Sequence, residues 1–145
     1  MVEKKKLLWI FILISLGIVI LDQILKYLFL KFNFDLDLGI VWFHLIFNTG
    51  AGFGILKNYT IILAIVSLLA ALLIILNYKK ISEKKFPQTF FAILLGGVLG
   101  NFIDRAFRGF VVDYLDFKFW PAFNLADACI TVSIIGLIIW YWKKR

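Results

Sequence analysis

Residues Thr60–Leu76 read TIILAIVSLLAALLIIL, a run that contains no charged side chain. A helix crosses a hydrocarbon core about 30 Å thick with roughly 20 mostly apolar residues, and about 17 is the lower limit. The run has no polar face, which argues against an amphipathic helix lying on a membrane surface. This stretch therefore predicts a membrane span.

Three further apolar runs qualify or nearly qualify as spans: residues 7–30, 86–103 and Leu125–Trp142. They are continuous rather than alternating, which argues against a β-barrel. The first follows a lysine cluster, as in a signal peptide, but it is too long and no small-residue cleavage site follows. We therefore expect an all-α membrane protein with four transmembrane helices.

The composition supports this class. Of 145 residues, 63% are hydrophobic and 17% are charged, against about half and a quarter in a soluble domain. So much apolar surface excludes a disordered chain, and a single cysteine excludes a disulfide scaffold. The length predicts one domain over residues 1–145.

The basic residues predict the orientation. Ten of the 16 lysines and arginines fall into three clusters: Lys4, Lys5 and Lys6; Lys79, Lys80, Lys84 and Lys85; and Lys143, Lys144 and Arg145. The positive-inside rule then places both termini and the loop between the second and third spans in the cytoplasm. The net charge of +7 faces membrane lipid, and the short clusters do not indicate nucleic-acid binding.

The carboxylates lie on the other side. Asp22, Asp104 and Asp127 fall within spans or at their outer ends, and Asp113 and Asp116 fall in the outer loop before the last span. An ionisable group inside a span is costly and indicates a functional site. Several at one depth strengthen that hypothesis.

The first outer loop carries its own pattern. Residues 38–47 form a β-leaning apolar run, too short for a span, which predicts a small sheet at the outer surface. The following residues, 48–54, read NTGAGFG, which suits a hairpin turn or close approach of a ligand. His44, the single histidine, is expected to be interfacial rather than catalytic.

Several of these residues have structural interpretations too. Asp22 and Lys26 are four apart on one helix face, as in an ion pair. Asn124 suits a helix N-cap, which makes Asp127 the third helical residue, facing the helix dipole. The spacing of Gly96 and Gly100 suits close helix packing.

A structural role is also open to a further group of residues at the end of the third apolar run. Asn101, Asp104 and Arg105 share one helix face, where the two charged members could simply neutralise other charges.

Taken in order, five motifs resemble those of signal peptidase II, a family of aspartic peptidases of bacterial inner membranes. The motifs are Asp22-Gln-Ile-Leu-Lys26, Asn48-Thr-Gly50, Gly100-Asn-Phe-Ile-Asp-Arg105, Val111-Val-Asp113 and Phe123-Asn-Leu-Ala-Asp127. The resemblance covers nearly the whole chain. It implies four transmembrane helices, a small outer β-cradle after the first, and a mobile outer loop or helix before the fourth.

The resemblance also implies an activity. It implies cleavage of prolipoprotein signal peptides before a lipid-modified cysteine, with Asp113 and Asp127 as the catalytic pair. The matched supporting or binding positions are Asp22, Lys26, Asn48, Gly50, Asn101, Asp104, Arg105, Asn124 and Ala126. Gly52, Tyr114 and the additional carboxylate of Asp116 depart from the usual pattern.

The residues agree with aspartic chemistry. Two carboxyls about 3 Å apart share one proton, so one activates water while the other protonates the carbonyl. One histidine and one cysteine give no metal-ligand spacing, so no metal or cofactor is expected. Cys129 lies in an apolar helix, where a thiolate is disfavoured. A monomer is expected.

Two other classes remain open from the residues alone. A proton-coupled transporter would use Asp22, Lys26 and Asp104 as a relay, and a structural membrane subunit would use none of the acids. The polar groups cluster at the outer end rather than extending through the bilayer, which favours the hydrolase.

Overall fold

The structure is a computed structural model that describes residues 2–52, 55–80 and 84–144. The side chains of residues 2–4 and of Lys79 are not described. Phe53, Gly54 and Arg145, which the sequence patterns above include, also lie outside the described residues.

The described chain is mostly helical with one small antiparallel sheet. Its elements are α1 (Val2–Phe32), β1 (Leu36–Asp37), β2 (Trp42–Asn48), α2 (Thr60–Leu76), α3 (Lys85–Phe107), β3 (Val111–Asp116) and α4 (Leu125–Trp142). A 3-10 turn, Tyr78–Lys80, follows α2. The predicted combination of apolar helices and a small sheet is confirmed.

Three helices are long and apolar enough to cross a membrane: Lys5–Phe32, Lys85–Phe107 and Leu125–Trp142. The fourth apolar helix, α2, has 17 residues and falls at the lower limit of a span. Four spans therefore remain a prediction. Predicted and observed bounds agree for α2 and α4, whereas α3 continues four residues beyond the predicted 103.

Helix α3 is the centre of the bundle, and α1, α2 and α4 all pack against it. Three of its glycines allow the close approach. A Cβ on Gly96 would lie 2.8 Å from the Ile18 Cβ, and one on Gly97 would lie 2.6 Å from the Ala126 carbonyl oxygen. Small residues at such contacts are typical of membrane helix packing, where backbones approach closely.

Helix α1 presents one buried stripe to α3. Phe11 and Ser15 form its inner half, where the Ser15 hydroxyl donates to the Ala92 carbonyl at 3.0 Å. Asp22 and Lys26 form its outer half and are completely buried. The stripe thus changes from uncharged to ionic as it approaches the sheet.

The sheet has the order β1-β2-β3. β2 and β3 are antiparallel, with Ile46 opposite Asp113 and Asn48 opposite Val111. The first two strands follow α1, as the resemblance implies, but the third comes from the segment between α3 and α4. Gly109, with φ +78°, allows the chain to reverse from α3 into β3.

The segment between β3 and α4 is a loop without a helix. A single bridge between Leu115 and Phe123 closes its base. At the opposite end of the bundle, the Lys84 ammonium lies 5.4 Å from the Trp140 ring centroid, so the start of α3 meets the end of α4.

Candidate active site

Asp113 lies in the middle of β3 and is 1% exposed. Two asparagine amides hold its carboxylate. Asn48 Nδ2 donates to one oxygen at 2.9 Å, and Asn124 Nδ2 donates to the other at 2.7 Å. The strand therefore presents this acid to α4 with both oxygens already oriented.

Asp127 occupies the first turn of α4 as part of a capping box. Asn124 Oδ1 accepts from the Asp127 amide at 3.0 Å, and the Asn124 amide donates back to the Asp127 carboxylate at 3.3 Å. Asn101 Nδ2 donates to the other Asp127 oxygen at 2.7 Å. This geometry agrees with the predicted cap and places a carboxylate at the positive end of a helix dipole.

Asn124 joins the two acids. Its side-chain oxygen caps Asp127, while its amide nitrogen bonds Asp113. The same nitrogen lies 3.2 Å from Asn101 Oδ1. Asn124 is completely buried, so water does not compete for these bonds. The two aspartates named by the sequence thus belong to one hydrogen-bonded unit.

The first amides of α4 have no partner within the helix, and three separate groups satisfy them. The Leu125 amide donates to the Tyr114 hydroxyl at 3.0 Å, and the Ala126 amide donates to Asp22 Oδ1 at 3.0 Å. The third is the Asn124 cap. Strand β3 and helix α1 therefore both fix the helix end that carries Asp127.

Below the acids lies a buried ionic cluster. The Lys26 ammonium lies 2.7 Å from Asp22 Oδ2, 3.0 Å from Asp104 Oδ2 and 3.0 Å from Asn101 Oδ1. An ammonium has three protons, and these three acceptors use all of them. The sequence spacing suggested the Asp22–Lys26 pair, but the second carboxylate at Lys26 comes only from the packing of α3 against α1.

Asp104 has partners that sequence reasoning missed. Gln23 Nε2 donates to its Oδ1 at 3.2 Å, and Arg108 also bonds that oxygen. Its Oδ2 accepts from the Val112 amide at 3.0 Å, which attaches the start of β3 to α3. The Arg108–Asp104 contact could be predicted from the sequence, because the two residues are an i, i+4 pair. The Gln23–Asp104 contact could not, because it joins residues distant in sequence.

Asn48 and Gly50 bring the glycine-rich loop to the site. Asn48 Oδ1 accepts from the Gly50 amide at 2.9 Å, so the side chain that holds Asp113 also fixes the loop. Arg105 reaches the loop from α3, donating to the Gly50 carbonyl at 3.3 Å. A Cβ on Gly50 would lie 2.8 Å from the Ile55 carbonyl oxygen, so only glycine fits there.

A cleft of about 470 Å³ opens beside Asp127. Asn48, Gly52 and Arg105 line one part, and the loop at Trp120 covers another. The cleft continues along α4 past Thr131 and Val132. It therefore leads from the polar site onto a surface that faces lipid if α4 spans the membrane.

Burial, together with the neighbouring charge of Asp127, raises the pKa of Asp113 to about 7. Burial also raises the pKa of the Tyr114 hydroxyl, which keeps it neutral. Asp113 is thus poised to hold a proton near neutral pH.

Other candidate groups lie elsewhere. His44 contacts Asp116 at 3.1 Å and stacks on Trp42 at the outer sheet. Within the described ranges, no group of three or more His, Cys, Asp or Glu side chains is placed to hold a metal ion.

Comparison with known proteins fits this geometry. The family model described as signal peptidase (SPase) II matches residues 14–143. The chain belongs to the signal peptidase II family. Members of this family are membrane proteases, and the apolar helices of this chain make it a bacterial membrane protein of the same kind.

Individual relatives agree with the family assignment. The lipoprotein signal peptidase of Moorella thermoacetica is 39% identical over 140 residues, which cover 92% of this chain and 91% of that protein. That of Caldanaerobacter subterraneus subsp. tengcongensis is 39% identical over 132 residues, covering 87% and 91%.

A solved structure is also similar. A bacterial membrane enzyme determined by the in meso method at 2.3 Å resolution matches with a TM-score of 0.85 at 31% identity. The match covers 92% of this chain and 87% of that one.

Proposed function

We propose that this protein is an aspartic endopeptidase that removes signal peptides from prolipoproteins by cleaving before the lipid-modified (diacylglyceryl) cysteine. The observation that carries the proposal is the junction of Asp113 and Asp127 through Asn124, beside a cleft that leads towards lipid. The names of its relatives support prolipoproteins as the substrates.

In this mechanism Asp127 is the base and Asp113 is the acid. Asp127 accepts hydrogen bonds from Asn101 and the Asn124 amide at a helix N-terminus, which stabilise its ionised form. It takes a proton from the attacking water, while protonated Asp113 donates to the carbonyl oxygen of the scissile bond. When the tetrahedral intermediate collapses and the C–N bond breaks, Asp127 gives its proton to the leaving nitrogen and Asp113 recovers its own. The hydrogen bonds at Asp127 support this division, and the proton belongs to the pair.

Arg105 is suited to hold the substrate backbone. It lines the cleft, and its buried Nε has no hydrogen-bond partner within the described part of the chain. An unused buried donor costs about 1–3 kcal/mol unless a ligand satisfies it. A substrate carbonyl in the cleft would accept from it. Asn48 lines the same part of the cleft and accepts a hydrogen bond from the Gly50 amide.

The ionic cluster supports the site rather than moving protons through the membrane. Lys26, Asp22 and Asp104 bond each other and the helix ends, so each is committed to structure. A transporter relay would need ionisable groups along the inner half of the buried stripe of α1. There, α1 instead buries Phe11 against Ala71, Ala92 and Leu95.

The positive-inside rule places both termini in the cytoplasm, with four spans in the bacterial inner membrane and the site near its outer face. The single chain of one domain acts as a monomer in lipid. The substrate then enters sideways, leaving its acyl chains in the membrane.

Substitution of each acid tests the aspartic mechanism. Asp113→Asn and Asp127→Asn should each reduce cleavage of a lipidated precursor by at least about 10²-fold, and the double variant should be hardly worse, because the two groups act as a unit. Asp116→Asn, the same change on the same strand, is the matched control and should keep its activity. Retention of more than about a tenth of activity in either single variant would contradict the pair.

The lipid requirement has a separate test. An unmodified precursor should be cleaved far more slowly than the diacylglyceryl form, because acyl chains buried in lipid, at about 0.8 kcal/mol per CH₂, hold the lipidated cysteine at the membrane surface beside the site. Equal rates on both precursors, in detergent and in bilayers, would rule out recognition of the lipid while leaving the aspartic chemistry intact.

A further inference from the structure

A second cleft lies at the opposite end of the bundle from the acids. Helices α2 and α4 both pack on α3, and a groove runs between them with Phe91 of α3 in it. It consists of two adjoining hollows of about 720 and 320 Å³, which share Phe91 and Tyr141. We call it the α2–α4 cleft.

The cleft is apolar along its length and basic at its end. Ile134 and Ile138 line it along α4, and Ile74 lines it from α2. Lys80 and Lys144 stand at the end where both helices stop. We propose that the α2–α4 cleft binds an anionic phospholipid, with an acyl chain along the isoleucines and the phosphate at the two lysines.

The length of the cleft fits one lipid leaflet. From Ile134 to Lys144 an α-helix rises about 15 Å, which is half of a hydrocarbon core about 30 Å thick. Tyr141 and Trp142 lie beside the basic end, where aromatic side chains mark the membrane–water interface. An acyl chain entering there would reach the middle of the bilayer.

The positive charge at the end of the cleft favours an anionic phospholipid over other occupants. Basic pockets between membrane helices bind anionic head groups, and the Asn77 side chain beside Lys80 adds a neutral hydrogen-bonding group. The positively charged start of a signal peptide would be repelled by the lysines. A second copy of this chain would bring its own lysine clusters to the same place.

The test measures lipid bound to the purified full-length protein by native mass spectrometry. Dioleoylphosphatidylglycerol and dioleoylphosphatidylcholine are compared at equal molar ratio. We expect preferential retention of the anionic lipid. Lys80→Gln combined with Lys144→Gln should weaken that retention by about tenfold or more. The control, Lys5→Gln combined with Lys143→Gln, removes the same charge outside the cleft and should change retention less than about twofold.

A second pair of variants tests the acyl chain. Ile138→Trp fills the cleft and should reduce retention of both lipids, whereas Ile139→Trp, at a neighbouring position that does not line the cleft, should not. Equal losses in the two lysine pairs would show that only diffuse charge acts. Unchanged retention in Ile138→Trp, with the helices intact by circular dichroism, would also overturn the proposal. Both readouts are independent of peptidase activity.

Discussion

The carboxylate of Asp22 on α1 accepts a hydrogen bond from the backbone amide of Ala126 at 3.0 Å, one residue before Asp127. Its other oxygen pairs with Lys26 at 2.7 Å. A side chain of α1 therefore holds the start of α4. The position of Asp127 depends on the ionic cluster as well as on its own loop.

Among the residues of that cluster, Lys26 is the one whose substitution we expect to lower the free energy of unfolding most. Lys26→Met leaves Asp22 and Asp104 as buried carboxylates without their ammonium, which should destabilise the protein by about 3–5 kcal/mol. Asp22→Asn leaves Lys26 paired with Asp104 and should cost less. Thermal unfolding in detergent measures both, with Lys31→Met at an exposed position of α1 as the control.

The double variant tests whether Asp22 and Lys26 compensate each other's buried charge. If Asp22 served only to balance Lys26, Asp22→Asn with Lys26→Met would recover most of the loss caused by Lys26→Met alone. Because Asp104 stays buried beside Arg108 and Gln23, we expect partial recovery. Full additivity of the two single effects would show that the charges are not coupled.

The hydrogen bond from the Asn124 side chain to Asp113 can be tested separately from the helix cap that Asn124 provides for α4. Asn124→Ser keeps a hydroxyl that caps α4 but has no amide nitrogen to bond Asp113. We expect its unfolding temperature to stay near that of the unchanged protein while cleavage falls by about tenfold or more. Asn124→Ala loses the cap as well, at a further cost of about 1 kcal/mol. Unchanged cleavage in the serine variant would mean that the bridge does not orient Asp113.

Gly100 is expected to tolerate no larger side chain. A Cβ there would lie 2.6 Å from Asp22 Oδ2 and 3.2 Å from the Ala126 Cβ, so Gly100→Ala should displace the Asp22 carboxylate from Lys26. Gly17→Ala is the matched control, since a Cβ at that helical position has nothing within 4 Å. The control should be neutral or stabilising by up to about 1 kcal/mol. Equal stability and activity in both variants would contradict this packing.

The raised pKa of Asp113 makes stability depend on pH. Between about 3.9, the value in an unfolded chain, and about 7, the folded protein holds a proton that the unfolded chain has released. The free energy of unfolding therefore falls as pH rises through this window; the contribution is complete below about 4 and lost above about 7.

Asp113→Asn removes that titration. The unfolding temperature of the variant, measured relative to the unchanged protein, should rise from pH 4 to pH 7 and stay level above pH 8. Because the fixed effect of the asparagine is the same at every pH, only the slope is diagnostic. A relative stability that does not change with pH would show that Asp113 titrates equally in both states.

Sequence reasoning located the apolar helices well because hydropathy reports directly on α2 and α4. It ended α3 at 103, since Asp104 and Arg105 interrupt the apolar run. The helix continues to Phe107 because Lys26, Gln23 and Arg108 satisfy the Asp104 carboxylate. Those partners come from α1 and from the next helical turn, which hydropathy does not report.

Strand β3 was not predicted for a related reason. A half-buried strand alternates between apolar and polar residues, but Val111, Val112, Asp113 and Tyr114 are all buried, so no alternation is present. The candidate acids themselves came from family resemblance and spacing, and their catalytic roles remain predictions. Their connection through Asn124 and Asn101 depends on three elements meeting in space, which no single stretch of sequence encodes.

The Leu115–Phe123 bridge joins the two ends of the loop that connects β3 to α4, and so separates this loop from the two elements that carry the acids. Trp120 and Pro121 shape the cleft from a loop whose two ends are pinned together, while Asp113 and Asp127 lie on the regular elements before and after it. The loop can therefore change in length or composition while the spacing of the two acids is preserved. Under the proposed function, substrate preference and hydrolytic chemistry can therefore diverge independently, and we expect a peptide inserted after Lys118 to lengthen the loop while Asp113 and Asp127 keep their positions.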